Sequence, residues 1–382
     1  MKQTAVLLVM LALLPSWRIP PASGQDPPGG PPRSDAEASL LVQQLGAEEF
    51  SLRERATTQL IEMGVAAKQA VDAGRTHPDR EIRYRCERIF QIVGELDFQR
   101  RLAAFTAGRS DGLDLPGWRR FRDLYGDGDE TRSLFAEMQK AESELMQAVE
   151  KGPQGVARAA ENRAAQLLHL QRRAGETTSL GSVTAFLFAA LNDNVNLGLQ
   201  TSSAVINFCG QPAFVEGMSD PAKGKILRKM ISQWITQSQG PVAQQSMHLA
   251  MRYDMKEGLV PAERILRNAG EQPFVRQAAL MTVAKLGDAS HVGLLEPALE
   301  DAARISAHRI DNVQYEIQIR DVALMAVLLL KKQDPKRFGF ERIQLNDSNV
   351  FNFGTVGFEN EDKRKQAFAK YQEFKAHEND PR

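Results

Sequence analysis

From Asp35 nearly to the end of the chain, apolar residues recur at helical spacing. No convincing run alternates apolar and polar residues in the manner of a half-buried strand. Gly and Pro punctuate the pattern at Gly64, Gly94, Gly108, Leu115-Pro116-Gly117, Gly126-Asp127-Gly128, Gly152-Pro153, Gly210-Gln211-Pro212, Gly240-Pro241, Gly270, Gly287 and Asp334-Pro335. Many short helices are therefore expected. Beyond the first hundred residues the spacing predicts helices over 114–124, 127–151 and 153–173, then 199–208, 220–239, 241–255 and 258–268. Ala185–Leu191 and Val322–Leu330 are nearly or wholly apolar, so each reads as a helix buried on several sides. The tail differs. Asn346 to Asn360 is rich in Asn, Gly and Phe and reads as a structured loop, followed by a last helix from about Glu361 to Lys375 with Ala367, Phe368, Tyr371 and Phe374 on one face.

An internal repeat runs through this pattern. Arg53 follows Leu52 and precedes Ala56, Leu60, Met63 and Gly64; Arg83 follows Ile82 and precedes Cys86, Phe90, Val93 and Gly94. Arg276 follows Val275 and precedes Ala279, Val283, Leu286 and Gly287; Arg320 follows Ile319 and precedes Ala323, Val327 and Leu330. On a helix those apolar positions make one stripe, and the small residue after each Arg lets a neighbouring helix come close. The terminal Gly is expected to stop the helix, because it accepts positive φ freely. The Arg falls in the first turn, where its stem can pack while its head reaches carboxylates or carbonyls of an adjacent unit. From Arg53 to Arg83 there is room for one helix pair. The longer interval from Arg276 to Arg320 carries an insertion, placed at Arg304–Gln318 because the apolar period breaks there.

The apolar-Arg step followed by a small residue, clearest in "DREIRYRCERIF" and "EIQIRDVAL", resembles the second helix of HEAT-like repeats. The layout also resembles that of exported bacterial HEAT-repeat proteins. The motif covers about residues 40–100 and 265–332. The resemblance implies an all-α fold, an α-α superhelix in which each unit buries its face on its neighbours, and a scaffold that binds rather than catalyses. The expected organisation is N-terminal repeats over 35–108, divergent helix pairs over 109–270, and C-terminal repeats with a capping loop and last helix over 271–382. In the tail, Phe351, Phe353 and Phe358 either cover the open end of the array by folding onto Val322–Leu330, or project as an anchor for a partner.

The first residues read as an export signal: Lys2, then an apolar run from Ala5 to Leu14, then Ala22-Ser23-Gly24 before Gln25. An uncleaved anchor is the alternative. Residues 25–34 are Pro- and Gly-rich and read as a disordered spacer. A periplasmic or extracellular location follows, with no stable membrane span after cleavage. Lys plus Arg and Asp plus Glu stand at 48 each over 382 residues, and loss of Lys2 and Arg18 with the leader leaves 46 against 48. That balance argues against a broad nucleic-acid or anionic-membrane surface. The dense arginines between Arg75 and Arg101 are interleaved with Asp79, Glu81, Glu87, Glu95 and Asp97 and read as a solvated, charge-laced face. Cys86 reads as a small core residue, although an exported chain allows it to pair with Cys209.

Recognisable catalytic chemistry is sparse. His377-Glu378 is the chain's His-Glu pair, which is too few for the iron site of HEAT-like metal hydroxylases. In "DLYGDGDE", from Asp123 to Glu130, counting from Asp127 puts Arg132 and Met138 where a calcium loop needs Gly and Glu, so a helix-capping turn is expected. Gly181-Ser182-Val183 lacks the second Gly of a nucleophile elbow. No zinc spacing and no phosphate-binding Gly loop is found. The reading is a non-catalytic scaffold for a protein or peptide, with no cofactor and no metal. An enzyme with an unrecognised site, or a structural part of an envelope assembly, are the alternatives.

Overall fold

The computed structural model describes residues 35–109, 115–268, 270–347 and 349–378, so the expected leader and spacer lie outside the described residues. The protein is mostly helical. It divides into two compact units, one ending at Arg101 and the other beginning at Leu102.

The first unit holds α1 (Asp35–Gln44), α2 (Phe50–Met63), α3 (Lys68–Gly74) and most of α4 (Arg80–Thr106). Helix α1 packs on α2 and α3. Their core contains Leu41, Val42, Leu45, Leu60, Val71 and Ile89. The small residues of the repeat, Ala56 and Cys86, are fully buried. A Cβ on Gly74 would lie 2.4 Å from the Cys86 sulfur, so a side chain at 74 would force α3 and α4 apart. The repeat is imperfect. Phe90 is half-buried beneath the cations of Arg75 and Lys68, and its neighbour Ile89 fills the core instead. Gly64 ends α2 at positive φ, as expected. Gly94 does not end α4, which runs on to Thr106. One interior Gly costs a helix only about 1 kcal/mol, and Glu95-Leu96 and Gln99-Arg100-Arg101-Leu102 carry the helix onward.

The second unit opens with α5 (Trp118–Tyr125), α6 (Asp129–Ala141), α7 (Ser143–Ala148) and α8 (Pro153–Ala174). In the acidic turn before α6, Asp127 pairs with Arg132 at 2.6 Å and Gly126 takes positive φ, but the N-cap position is Gly128 and no side chain caps the helix as the sequence led one to expect. The expected helix over 127–151 is broken at Glu142, whose backbone leaves helical geometry. Its carboxylate turns inward to Arg163 and Ser182. Helix α9 (Leu180–Ala190) is buried from Gly181 to Ala189 and packs on α6, α7 and α8. A Cβ on Gly181 would lie 2.3 Å from the Glu137 carbonyl oxygen, a contact no side chain can make. Phe105, Trp118, Phe121, Phe135 and Phe188 interlock nearby, with Phe105 edge-on to Trp118 at 4.7 Å.

Next come α10 (Gly198–Phe208), α11 (Pro212–Ser219), α12 (Lys223–Gln237), α13 (Gly240–Arg252), α14 (Leu259–Leu266), α15 (Pro273–Leu286) and α16 (Val292–Leu295). The pattern missed α11, where Pro212 starts a helix instead of closing a turn. Strands β1 (Arg304–Ile310) and β2 (Val313–Gln318) form an antiparallel hairpin in the expected insertion. Asp311 and Asn312 form its two-residue turn, both at positive φ, the geometry that matches strand twist. Helix α17 (Ile319–Leu330) is buried around almost its whole circumference. The short strands β3 (Leu345–Asn346) and β4 (Val350–Phe351) pair, and α18 (Glu361–Glu378) closes the described chain. Cys86 and Cys209 are both buried and free; burial pushes the Cys86 thiol up to about 11 and raises that of Cys209 as well.

Two glycine variants test this packing. Gly181→Ala should lower the melting temperature by several degrees, because overpacking against backbone costs about 1–3 kcal/mol. Gly94→Ala, whose new methyl meets nothing within 4 Å, should leave stability unchanged or raise it by up to about 1 kcal/mol. Thermal unfolding followed by circular dichroism reads both. A Gly181→Ala protein as stable as wild type refutes the close crossing of α6 and α9.

Candidate binding surfaces

The four repeat arginines divide into two pairs. Arg53 Nη1 donates to the carbonyls of Ala47 and Glu48 at 2.7 and 2.8 Å. Arg83 Nη1 donates to those of His77 and Pro78, both at 2.6 Å. In both cases the acceptors lie six and five residues before the Arg. Each head therefore clamps the turn leading into its own helix, and Arg53 Nε also reaches the Glu81 carboxylate on α4 at 3.7 Å, the contact to a neighbouring repeat that the spacing predicts. The turn carbonyls have no helical partner, so a guanidinium that satisfies two of them fixes the helix entry.

Helix α4 of this unit also presents an apolar row outward. Tyr84, Ile92 and Leu96 are 59%, 37% and 54% exposed. With Arg88, whose head lies over the Tyr84 ring at 6.0 Å, they occupy an i, i+4 row. Tyr84 starts it opposite Ile82 and Cys86, which face the core. Single exposed apolar residues are ordinary, but an ordered row of them is the form a docking surface takes.

Arg276 and Arg320, in the second unit, meet through Asp301. Arg276 pairs with the Asp301 carboxylate, and the Arg320 backbone N–H donates to the Asp301 carbonyl at 2.9 Å. Arg320 then reaches Gln318 at 2.6 Å and both oxygens of Glu361 at 3.0 and 3.1 Å. Glu361 accepts in turn from Arg364 at 2.6 Å. Arg364 grips Asp321 through Nε and Nη2 at 2.8 and 3.2 Å and donates to the Glu316 carbonyl at 3.1 Å. Asp321 has no solvent exposure, and burial pushes its carboxyl up to about 6 against the pull of Arg364. The signal for this pair in the sequence is an acid in the apolar stretch from Ile319 to Leu330; the identity of its partner has none.

The three tail phenylalanines are spread through the same region. Phe351 is fully buried, and its strand β4 packs on α15 rather than on the expected helix α17. The sides of α17 are occupied by α15, α16, β2 and the turns at 296–300 and 335–338. Phe358 is buried beside Phe340 at 5.1 Å, and its backbone bridges Glu316 in β2. Phe353 is half-buried in the turn between them. Of the α18 face, Tyr371 is fully buried, and Phe374 lies edge-on to Phe338 at 5.9 Å.

The sequence reading missed two further features. Glu142 accepts from Arg163 at 2.7 Å and from the Ser182 hydroxyl at 2.7 Å, beside an open groove of about 660 Å³ lined also by Arg158, Asn162 and Gln166. Both carboxylate oxygens are thereby engaged, which suits a pin between α7, α8 and α9 better than a free acid or base. The second feature is a cleft of about 190 Å³ between the hairpin and α18, where Arg342 lies over the ring of Tyr315. Among the described residues no three His, Cys, Asp or Glu side chains gather as a metal would need. Glu378 of the His-Glu pair is tied to Lys331. The chain matches no family model and no curated protein.

Two measurements address the ionic chain. Arg276→Ala should cost on the order of 1–3 kcal/mol, since its head is largely buried and paired, whereas exposed Arg158→Ala should cost almost nothing. Equal melting temperatures refute that role. For Asp321, the folded carboxyl titrates above the roughly 3.9 of an unfolded Asp. Its contribution to stability is therefore complete below about pH 4 and is lost as pH rises through about 6. The melting temperature of wild type relative to Asp321→Asn should fall across that window and level off above it. A difference that stays constant from pH 4 to 7 overturns this account.

Proposed function

We propose that the chain is an exported, non-catalytic scaffold of HEAT-like helix pairs stacked as a superhelix, which holds a protein or peptide partner on its repeat surface. The observation that carries this reading is the exposed row Tyr84, Arg88, Ile92 and Leu96 on α4. An aromatic ring, a guanidinium and two aliphatic side chains in register make the composition of a protein-binding hot spot. The row lies in the unit where Arg53 and Arg83 repeat the same turn clamp, which supports the repeat assignment. Export rests on the basic, apolar and small-residue pattern from Lys2 to Gly24. Among the described residues no helix is long and apolar enough to cross a membrane.

The test compares tagged wild type with a Tyr84→Ser, Ile92→Ser, Leu96→Ser variant as baits for envelope proteins. Because these side chains are exposed, the variant should melt within about 2 °C of wild type. It should also lose the partner that wild type recovers. Recovery of the same protein by both baits, with the variant folded, removes the row from the function.

A further inference from the structure

The cleft beside the hairpin is built around an arginine with nothing to bind. Arg342 is held over Tyr315, its guanidinium carbon 3.9 Å from the ring centroid. Its Nη1 is shut off from solvent and has no acceptor. Among the described residues the side chain makes no hydrogen bond and no ion pair, whereas the neighbouring Arg320 and Arg364 are each held by carboxylates. A buried N–H on a cation without an acceptor is costly, and stacking on Tyr315 does not supply one. The same residue lines the cleft, and a turn of its guanidinium toward that space would let an entering anion supply the acceptor.

The remaining lining defines which anion. Lys363 and Lys370 add two positive charges, and Glu341 and Glu359 subtract two. Of the lysines, Lys363 already faces Glu359 at 3.5 Å. With Arg342 the lining is left with a single surplus positive charge, enough for a singly charged ligand and short of a doubly charged phosphate. Phe338, Phe340, Phe358 and Ala367 form the apolar part of the wall. The space, about 190 Å³, is below the range of sites for whole cofactors and suits one residue-sized group.

We propose that this cleft binds a monocarboxylate with an apolar flank, the C-terminal residue of a peptide, with the carboxylate taken by the unpaired guanidinium of Arg342. Lys370 stands at the rim as a second cation, its ammonium donating to the Arg337 carbonyl at 3.2 Å, with a proton free for the ligand. The apolar side chain of the last residue lies against Phe340 and Phe358. This site is in the second unit and does not rest on the row of α4.

The full chain is titrated with a fluorescent tetrapeptide ending in free Phe and with the same peptide amidated. The acid should bind about tenfold or more tighter than the amide, the loss expected when a charge-assisted pair is removed. Arg342→Gln should abolish the preference, and Lys370→Met should weaken acid binding while leaving the melting temperature unchanged. If Arg342→Gln lowers the melting temperature, the Lys370→Met titration alone decides. Competition identifies the source: N-acetyl-phenylalanine displacing the peptide at equal concentration assigns the site to small acids, and weaker displacement assigns it to chain termini. Equal binding of acid and amide, no binding of either, or displacement by inorganic phosphate at lower concentration than by N-acetyl-phenylalanine overturns the proposal.

Discussion

Short helices do not sustain themselves in water, so nearly every element here depends on how closely it can approach its neighbours. The contacts that set those distances involve the smallest residues. Gly74 admits the sulfur of Cys86, Gly181 admits the backbone of Glu137, and a Cβ on Gly258 would lie 2.5 Å from that of Ala250. At each crossing the stabilisation comes from apolar area buried on either side of the contact. The glycine supplies none of that area. It removes the one atom that would hold the surfaces apart. Larger side chains then fill the space around each crossing, as Leu60 and Val71 do in the first unit and Phe186 and Phe188 in the second.

Charge has a different task. Arg53 and Arg83 hold turns, and Arg163 holds a helix break through Glu142. The chain from Arg276 through Asp301, Arg320 and Glu361 to Arg364 joins α15, the hairpin, α17 and α18. The buried end of that chain is not a source of much net stability, because removing Asp321 from water offsets most of its attraction to Arg364. Its effect is selective. An acid in the wall of an apolar helix can be buried only where that one guanidinium arrives, which sets the register of α18 against α17.

Much of the helical layout was legible from residue spacing, because one apolar face repeats wherever a helix is half-buried. The buried helices α9 and α17 were legible as apolar runs. What spacing failed to convey came from contacts between distant residues. The break at Glu142 depends on Ser182, forty residues away in the chain. The continuation of α4 through Gly94 depends on flanking helix formers outweighing one unfavourable residue. The hairpin was visible only as a loss of helical period, although Asp311-Asn312 between Ile310 and Val313 is a turn signal. Of the binding surfaces, the arginines were found and their partners were not. Arg342 and Tyr315 carry no local pattern that distinguishes them from surface residues.

The two thiols sit one in each unit, both enclosed and both held protonated. A protonated thiol without access to solvent neither attacks a disulfide nor reacts with an alkylating reagent. An oxidising compartment therefore meets no reactive sulfur on the folded chain. Reagent reaches Cys86 only when the first unit opens, and Cys209 only when the second does. The rates at which the two are labelled thus measure the free energy of opening separately for each unit, without an added probe.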